Sequence, residues 1–123
     1  MKYKTLKDGT FIQKQDYSKT IIFSLEDFVQ PGHQLQIVTI PAQTKQRKHL
    51  HFKQTEVWYM LEGECKIVVN DQVFNSVVGD SFISSPGDTH YLWNQTDKDV
   101  RVLVFKINLP ENDEDTQWFS ELI

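Results

Sequence analysis

Hydrophobic and polar residues alternate along most of this chain in short runs, the period of a half-buried β-strand and not the spacing of an amphipathic helix. Runs of this kind cover Thr20 to Leu25, Leu35 to Ile40, His49 to Phe52, Glu56 to Leu61, Lys66 to Val69, Ser81 to Ser84, His90 to Trp93 and Val100 to Ile107. Turn formers stand between them at Gly63, Asn70-Asp71, Gly79-Asp80, Pro86-Gly87 and Thr96 to Asp99. The stretch Cys65 to Val77 reads as a short strand pair, and Ser24 to Val29 has room for a helical turn. Many short strands with tight turns and no long helix between them predict an all-β sandwich or barrel rather than a parallel sheet.

A length of 123 residues fits one domain. The expected division is a core of strands over about 20–108, with an N-terminal arm (1–19) and a C-terminal tail (109–123) packed on it or on a partner. Hydrophobic residues at 39% and aromatics at 12% supply enough large side chains for a core, which excludes disorder as the starting expectation. In the tail, Pro110 to Asp115 is acidic and polar, whereas Trp118, Phe119, Leu122 and Ile123 are too apolar to be left in water without reason. Strand edges need cover, so Ile21-Ile22-Phe23 and Trp118-Phe119 are candidate interface elements of an expected homodimer.

A net charge of −4 with scattered Lys and Arg lacks the basic stripe of a general nucleic-acid binder, so no nucleic-acid partner is expected. The basic stretch Lys45 to Lys48 reads as a solvated edge or, more sharply, as an anion-attracting rim. No run reaches membrane-spanning length, and Met1 to Thr5 are not followed by the apolar stretch of a signal peptide, so the expectation is a cytoplasmic protein with no membrane partner. Cys65 is the single cysteine, which excludes an internal disulfide; it shares strand parity with Ile67 and Val69 and is expected to pack with them.

In His49-Leu50-His51 the imidazoles are two residues apart, so on a strand they project from one face and can reach a common metal ion. Taken alone, such a pair is more often structural. Glu56 opens the next apolar run after a short connection, and the Pro86-Gly87 turn delivers His90 to the start of another strand. Three imidazoles and a carboxylate suit borderline divalent ions such as Fe, Mn, Ni, Co, Cu or Zn, and the absence of thiolates argues against a purely structural zinc clamp.

These residues carry a family resemblance. The run His49, His51, Glu56, Gly63 resembles the first sequence motif of the cupins, and Gly79, Gly87, His90, Asn94 resembles the second, in the right order. Two positions depart from the pattern: Gln43 stands where the first motif usually has glycine, and Ser85, followed by Pro86, where the second usually has proline. Both shape turns and neither is a ligand position. The resemblance implies a small single-domain cupin, a double-stranded β-helix or jelly-roll barrel, with one divalent transition metal held by His49, His51, Glu56 and His90. Four ligands leave two positions open on an octahedral ion, which lets a small-molecule substrate chelate or lets substrate and dioxygen bind side by side.

Alternation extends this to the walls. If Glu56 faces inward so do Trp58 and Met60, and if His90 faces inward so do Leu92 and Asn94, giving a largely apolar substrate pocket. Phe52, Tyr59, Tyr91 and Trp93 take the opposite parity, and His33 beside Pro31 and Gly32 is a turn residue and not a ligand. No catalytic acid or base is singled out. The leading expectation is a small-molecule metalloenzyme, either dioxygenase-like or similar to the sugar-phosphate isomerases, in which case Arg47 and Lys48 would meet the phosphate. A non-catalytic metal-dependent binding or sensing module is the alternative from another class, and an empty structural barrel the third.

Overall fold

A computed structural model describes residues 1–112 and 115–120. Twelve strands run in chain order: β1 (Thr10–Gln13), β2 (Ser18–Phe23), β3 (Gln34–Ile40), β4 (Thr44–Lys45), β5 (His49–His51), β6 (Thr55–Glu62), β7 (Cys65–Val69), β8 (Gln72–Ser76), β9 (Ser81–Ser84), β10 (His90–Asn94), β11 (Val100–Ile107) and β12 (Thr116–Trp118). They form two antiparallel sheets, β1-β2-β3-β11-β6-β9 and β12-β5-β10-β7-β8, with β4 also paired to β10. The described helical turns are the short 3-10 segments Leu6–Asp8 and Leu25–Asp27, the second inside the stretch where a helical turn was expected. No described helix is long and apolar enough to cross a membrane.

Each expected strand is present, most of them a residue or two from the expected bounds. The arm and the tail contribute strands that alternation did not reveal. β1 pairs with β2 along Thr10 to Gln13, so Ile21 lies between Thr10 and Gln36 inside the sheet. β12 pairs with β5, and Trp118 packs against His49 of its own chain with ring centroids 4.5 Å apart. Phe119 is tied to Lys48 by a backbone hydrogen bond, while Leu122 and Ile123 lie outside the described residues.

The inward rows stack in register across β3, β11 and β6. From one end of the barrel to the other the rows are Gln34/Lys106/Glu56, Gln36/Val104/Trp58, Val38/Val102/Met60 and Ile40/Val100. All of these are buried, so the barrel grades from a polar end to an apolar one along its own axis. The apolar end, closed by Ile67 and Cys65 from the opposite sheet, is the core. Burial there pushes the Cys65 thiol up to about 12, so it stays protonated and chemically quiet.

Turn chemistry sets the connections that matter. Asn70 and Asp71 both take positive φ (49° and 65°), the twist that joins β7 to β8 as a tight hairpin. Gly63 has φ 80°, and a Cβ there would sit 3.0 Å from Val100 Cγ2, so glycine is required on two counts. Gln43, at the position where the motif usually has glycine, does adopt a glycine-like φ of 55°. Its N–H donates to the Thr96 carbonyl and its side-chain amide to that of Gln95, and these bonds offset the unfavourable conformation.

Candidate metal centre

His49 and His51 flank Leu50 on β5 and are both buried, because strand alternation turns them inward together. His90 opens β10 directly opposite His49, and Gly87, in the turn before it, donates its N–H to the His51 carbonyl, which ties the second motif to the first. Glu56 comes from the other sheet, on β6. One ligand atom from each of the four residues lies within 4.8 Å of every other, and all four side chains are buried.

The second nitrogen of each ring explains the arrangement. His49 Nδ1 faces the Arg47 carbonyl at 2.9 Å, His90 Nδ1 faces the Asp88 carbonyl and the Ser84 hydroxyl at 3.1 Å each, and His51 Nδ1 meets Thr116 Oγ1 at 2.9 Å. A carbonyl only accepts, so His49 and His90 carry their proton on Nδ1 and offer a lone pair at Nε2. Burial, reinforced by the facing His90, pushes the His49 imidazole down to about 3, so it is neutral around pH 7.

The Nε2 atoms crowd onto Glu56. His51 Nε2 is 2.6 Å and His90 Nε2 3.1 Å from the same Oε1, and the His51 contact is not aligned as a hydrogen bond, leaving that buried nitrogen without a partner. Burial acts to raise the Glu56 carboxyl, but the His51 and His90 imidazoles and the charge of Lys106 outweigh it and hold the group well below the usual carboxylate range. Such a cluster is stable only with a proton or a metal ion shared among the ring nitrogens and the anionic oxygen. Neighbouring ligands about 2.1 Å from a shared ion lie about 3 Å apart, near the 3.1 Å between His90 and Glu56 and above the 2.6 Å between His51 and Glu56. The donor set, the orphaned nitrogen and the committed Nδ1 atoms all fit a divalent metal ion.

Space beside the four residues is divided. A small inner void of about 30 Å³ is walled by Trp58, Leu92, Val38, Val102 and Val104, with Gln46 at its edge. An outer chamber of about 120 Å³ touches His49, His51 and Glu56 and is polar, lined by Lys14, Tyr17, Lys19, Gln36, Lys106 and Thr116. A wider cleft of about 350 Å³ lies between Glu64 and Gln95, and none of the four candidate ligands lines it.

Of the expected pocket residues, Trp58 and Leu92 line the inner void. Met60 has the expected inward parity but sits one row deeper, level with Val102 in the core. Asn94 is fully buried and used otherwise: its amide donates to the carbonyls of Ile40, Pro41 and Lys98, and its oxygen accepts from Thr96. Arg47 lines neither space at the centre; its guanidinium lies over the Trp118 ring at 4.4 Å. Lys48 pairs with Asp71 instead. His33 stacks on Phe105, away from the cluster.

Sequence reasoning missed Lys106, Gln36, Gln46 and Thr116. Lys106 carried a readable signal, since it shares the parity of Val100, Val102 and Val104 on β11. Thr116 carried none, because only the docking of the tail brings it to His51. Thr116→Val removes the hydroxyl with little change of shape and is expected to weaken metal affinity about tenfold or more, measured by competition with a chelating dye. An unchanged affinity would show that the hydroxyl does not orient His51.

The tail is anchored next to this contact by Asp115, whose carboxylate accepts from the N–H groups of Lys53 and Gln54 and from the Gln54 side chain. Burial acts to raise the Asp115 carboxyl, and these hydrogen bonds outweigh it, holding it below its ordinary value. A folded value below the unfolded one contributes stability that is full above about pH 4 and lost as pH falls through the folded value. Asp115→Asn is therefore expected to lower Tm at pH 7 and to narrow its gap to the wild type on acidification below about pH 4. A gap independent of pH would remove Asp115 from that role.

The cupin domain model matches residues 36–106, more than half of the chain, and covers all four candidate ligands. The chain belongs to the cupin domain family. No curated protein matches it in sequence. Among solved structures it is similar to a predicted oxalate decarboxylase from Thermotoga maritima, with 20% identity, 80% of this chain and 90% of that one covered and a TM-score of 0.71. It is also similar to the polyketide cyclase RemF from Streptomyces resistomycificus, at 17% identity, 98% and 88% coverage and a TM-score of 0.79. A nucleoside dehydratase from Streptomyces aligns at 13% identity, with 97% and 92% coverage and a TM-score of 0.76. At these identities the likeness establishes the fold.

Proposed function

We propose that this cupin is a small-molecule metalloenzyme whose divalent ion is held by His49, His51, Glu56 and His90, and that it moves protons on its substrate, as an isomerase does, rather than inserting dioxygen. The metal assignment is carried by the three Nδ1 atoms, each already engaged, with the Nε2 atoms of His51 and His90 meeting one Glu56 oxygen and His49 in the same cluster. When bound, the ion supplies Lewis-acid polarisation of a substrate oxygen.

The choice of proton transfer is supported by the outer chamber, where Lys14 and Tyr17 line the same space as three of the ligands and stand as candidate proton carriers. Trp58 and the surrounding valines keep bulk water out of the inner side. The activities named for the structural neighbours span several reaction types, so the reaction class rests on the chamber and not on the likeness. Arg47 and Lys48, the groups expected to meet a phosphate, are engaged elsewhere, which weighs against a sugar phosphate as substrate.

The test is turnover in an oxygen electrode with metal-loaded protein and a panel of small hydroxy acids, oxo acids and sugars. Conversion without oxygen uptake supports the proposal, and uptake matched to turnover places the chain with dioxygenases instead. Tight binding with no conversion across the panel makes it a binding module.

We further propose a homodimer formed through the outer face of the β3-β11-β6-β9 sheet, where Tyr59 and Ile83 are exposed beside partly buried Val57 and Leu103. Light scattering on a size-exclusion column is expected to return twice the chain mass, and Ile83→Lys the monomer mass. A monomeric wild type removes the proposal.

A further inference from the structure

Lys106 occupies a core position. On β11 the inward row is Val100, Val102, Val104 and then Lys106, which is only 7% exposed. Its cross-strand neighbours are Gln34 and Glu56. Glu56 feels its charge but spends its oxygen on His51 and His90, and among the described residues no hydrogen bond or ion pair engages the Lys106 ammonium. The Lys106 side chain is buried, but its ammonium is not one of the fully enclosed polar atoms and opens onto the chamber that the residue lines, where a bound group can supply a counter-charge.

The other groups around it point to what that is. Gln36 accepts from Gln34 through its carbonyl oxygen, and Gln46 accepts the Leu92 N–H through its own, so each has its NH₂ group left to donate. Both line the outer chamber with Lys106, and Lys14 stands exposed beside them. Glu56 is the single carboxylate among the described residues lining that chamber, and a bound metal would claim it. Amide donors and positive charge, with no carboxylate but the candidate ligand Glu56, favour an oxyanion.

We propose that the outer chamber takes the acid group of a small oxyanion, a carboxylate or a phosphate, with Lys106 as its buried counter-charge and Gln36 and Gln46 as its hydrogen-bond donors. The substrate class is thus a small acid that bridges Lys106 and the metal, and in this bridging form the inference rests on the metal reading above. The chamber of about 120 Å³ holds about four water volumes, well below the ~300 Å³ where drug-sized pockets begin, so the acid is a compact one of a few carbons or phosphate itself.

Malonate, inorganic phosphate and neutral malonamide are titrated by calorimetry into the full chain, zinc-loaded and metal-free, as wild type, Lys106→Met and Lys106→Arg. At least one of the two anions is expected to bind wild type about tenfold or more tighter than malonamide, to lose about tenfold or more in Lys106→Met, and to keep most of its affinity in Lys106→Arg. Whichever anion wins identifies the acid as carboxylate or phosphate. Malonamide matching both anions, or Lys106→Met matching wild type for both, overturns the proposal. The comparison of malonate with malonamide in wild type needs no variant, so a misfolded variant does not shield it. Zinc content of the same samples reads the metal separately. Lys106-dependent anion binding without any zinc uptake sinks the metal centre and keeps the anion site, whereas zinc uptake without such binding sinks the anion site alone.

Discussion

Replacing His51 by alanine is expected to lower zinc affinity by about 100-fold or more while the metal-free chain keeps the circular dichroism and Tm of the metal-free wild type. His51 Nε2 is a buried nitrogen left without a hydrogen-bond partner, and its removal deletes one donor of four from the cluster. The fold should be indifferent, because the core of Ile40, Met60, Ile67, Val100 and Val102 packs at the opposite end of the barrel rows. The measurements are chelator competition for affinity and a thermal melt for the fold. Unchanged affinity, or an alanine variant that unfolds as it loses metal, would contradict the assignment.

Asn94→Ala is expected to do the reverse, costing about 2–4 kcal/mol of stability while leaving metal affinity where it was. The Asn94 amide is fully buried and donates to the carbonyls of Ile40, Pro41 and Lys98, while its oxygen accepts the N–H and hydroxyl of Thr96. One side chain thus ties the end of β3 to the turn between β10 and β11. Alanine removes the Asn94 partner of the Ile40 and Pro41 carbonyls and of the Thr96 N–H, although the Thr96 hydroxyl keeps its bond to the Lys98 carbonyl, and leaving buried polar groups unpaired costs more than the bonds themselves contribute. For a chain of this length the expected fall in Tm is on the order of 10 °C. A shift of only a degree or two, or a loss of metal binding at unchanged Tm, would return Asn94 to the pocket.

These two residues show how unevenly the site could be read. The parity argument that placed Glu56, Trp58 and Met60 on one face of β6, and His90, Leu92 and Asn94 on one face of β10, holds for every one of the six, all of which are buried. Parity says which way a side chain points but not what it meets at that depth. Trp58 and Leu92 meet the void beside the ligands, Met60 meets the core, and Asn94 meets a turn. Depth along the barrel depends on the register between β3, β11 and β6, which is a relation between distant segments.

The basic stretch before the histidines shows the same gap. As sequence it offered either a solvated edge or a rim for anions. In the fold, Lys45 lies over the Tyr91 and Trp93 rings, Arg47 over Trp118 and Lys48 against Asp71, so each has a local partner. The charge that does reach the centre comes from Lys106, more than fifty residues away and embedded in a run of valines.

The sequence by itself determined most of the central strands and the face each presents, through local alternation and turn chemistry, and its two spaced motifs, through their family resemblance, named the four candidate ligands. Only the tertiary structure decided that the C-terminal strand buttresses His51, that Asn94 serves a turn, and that the chamber beside the ligands is a polar one built around a buried lysine. The physical reason is that the period of a strand is set within the strand, whereas the neighbours of a side chain are set by register across sheets and by where the tail docks.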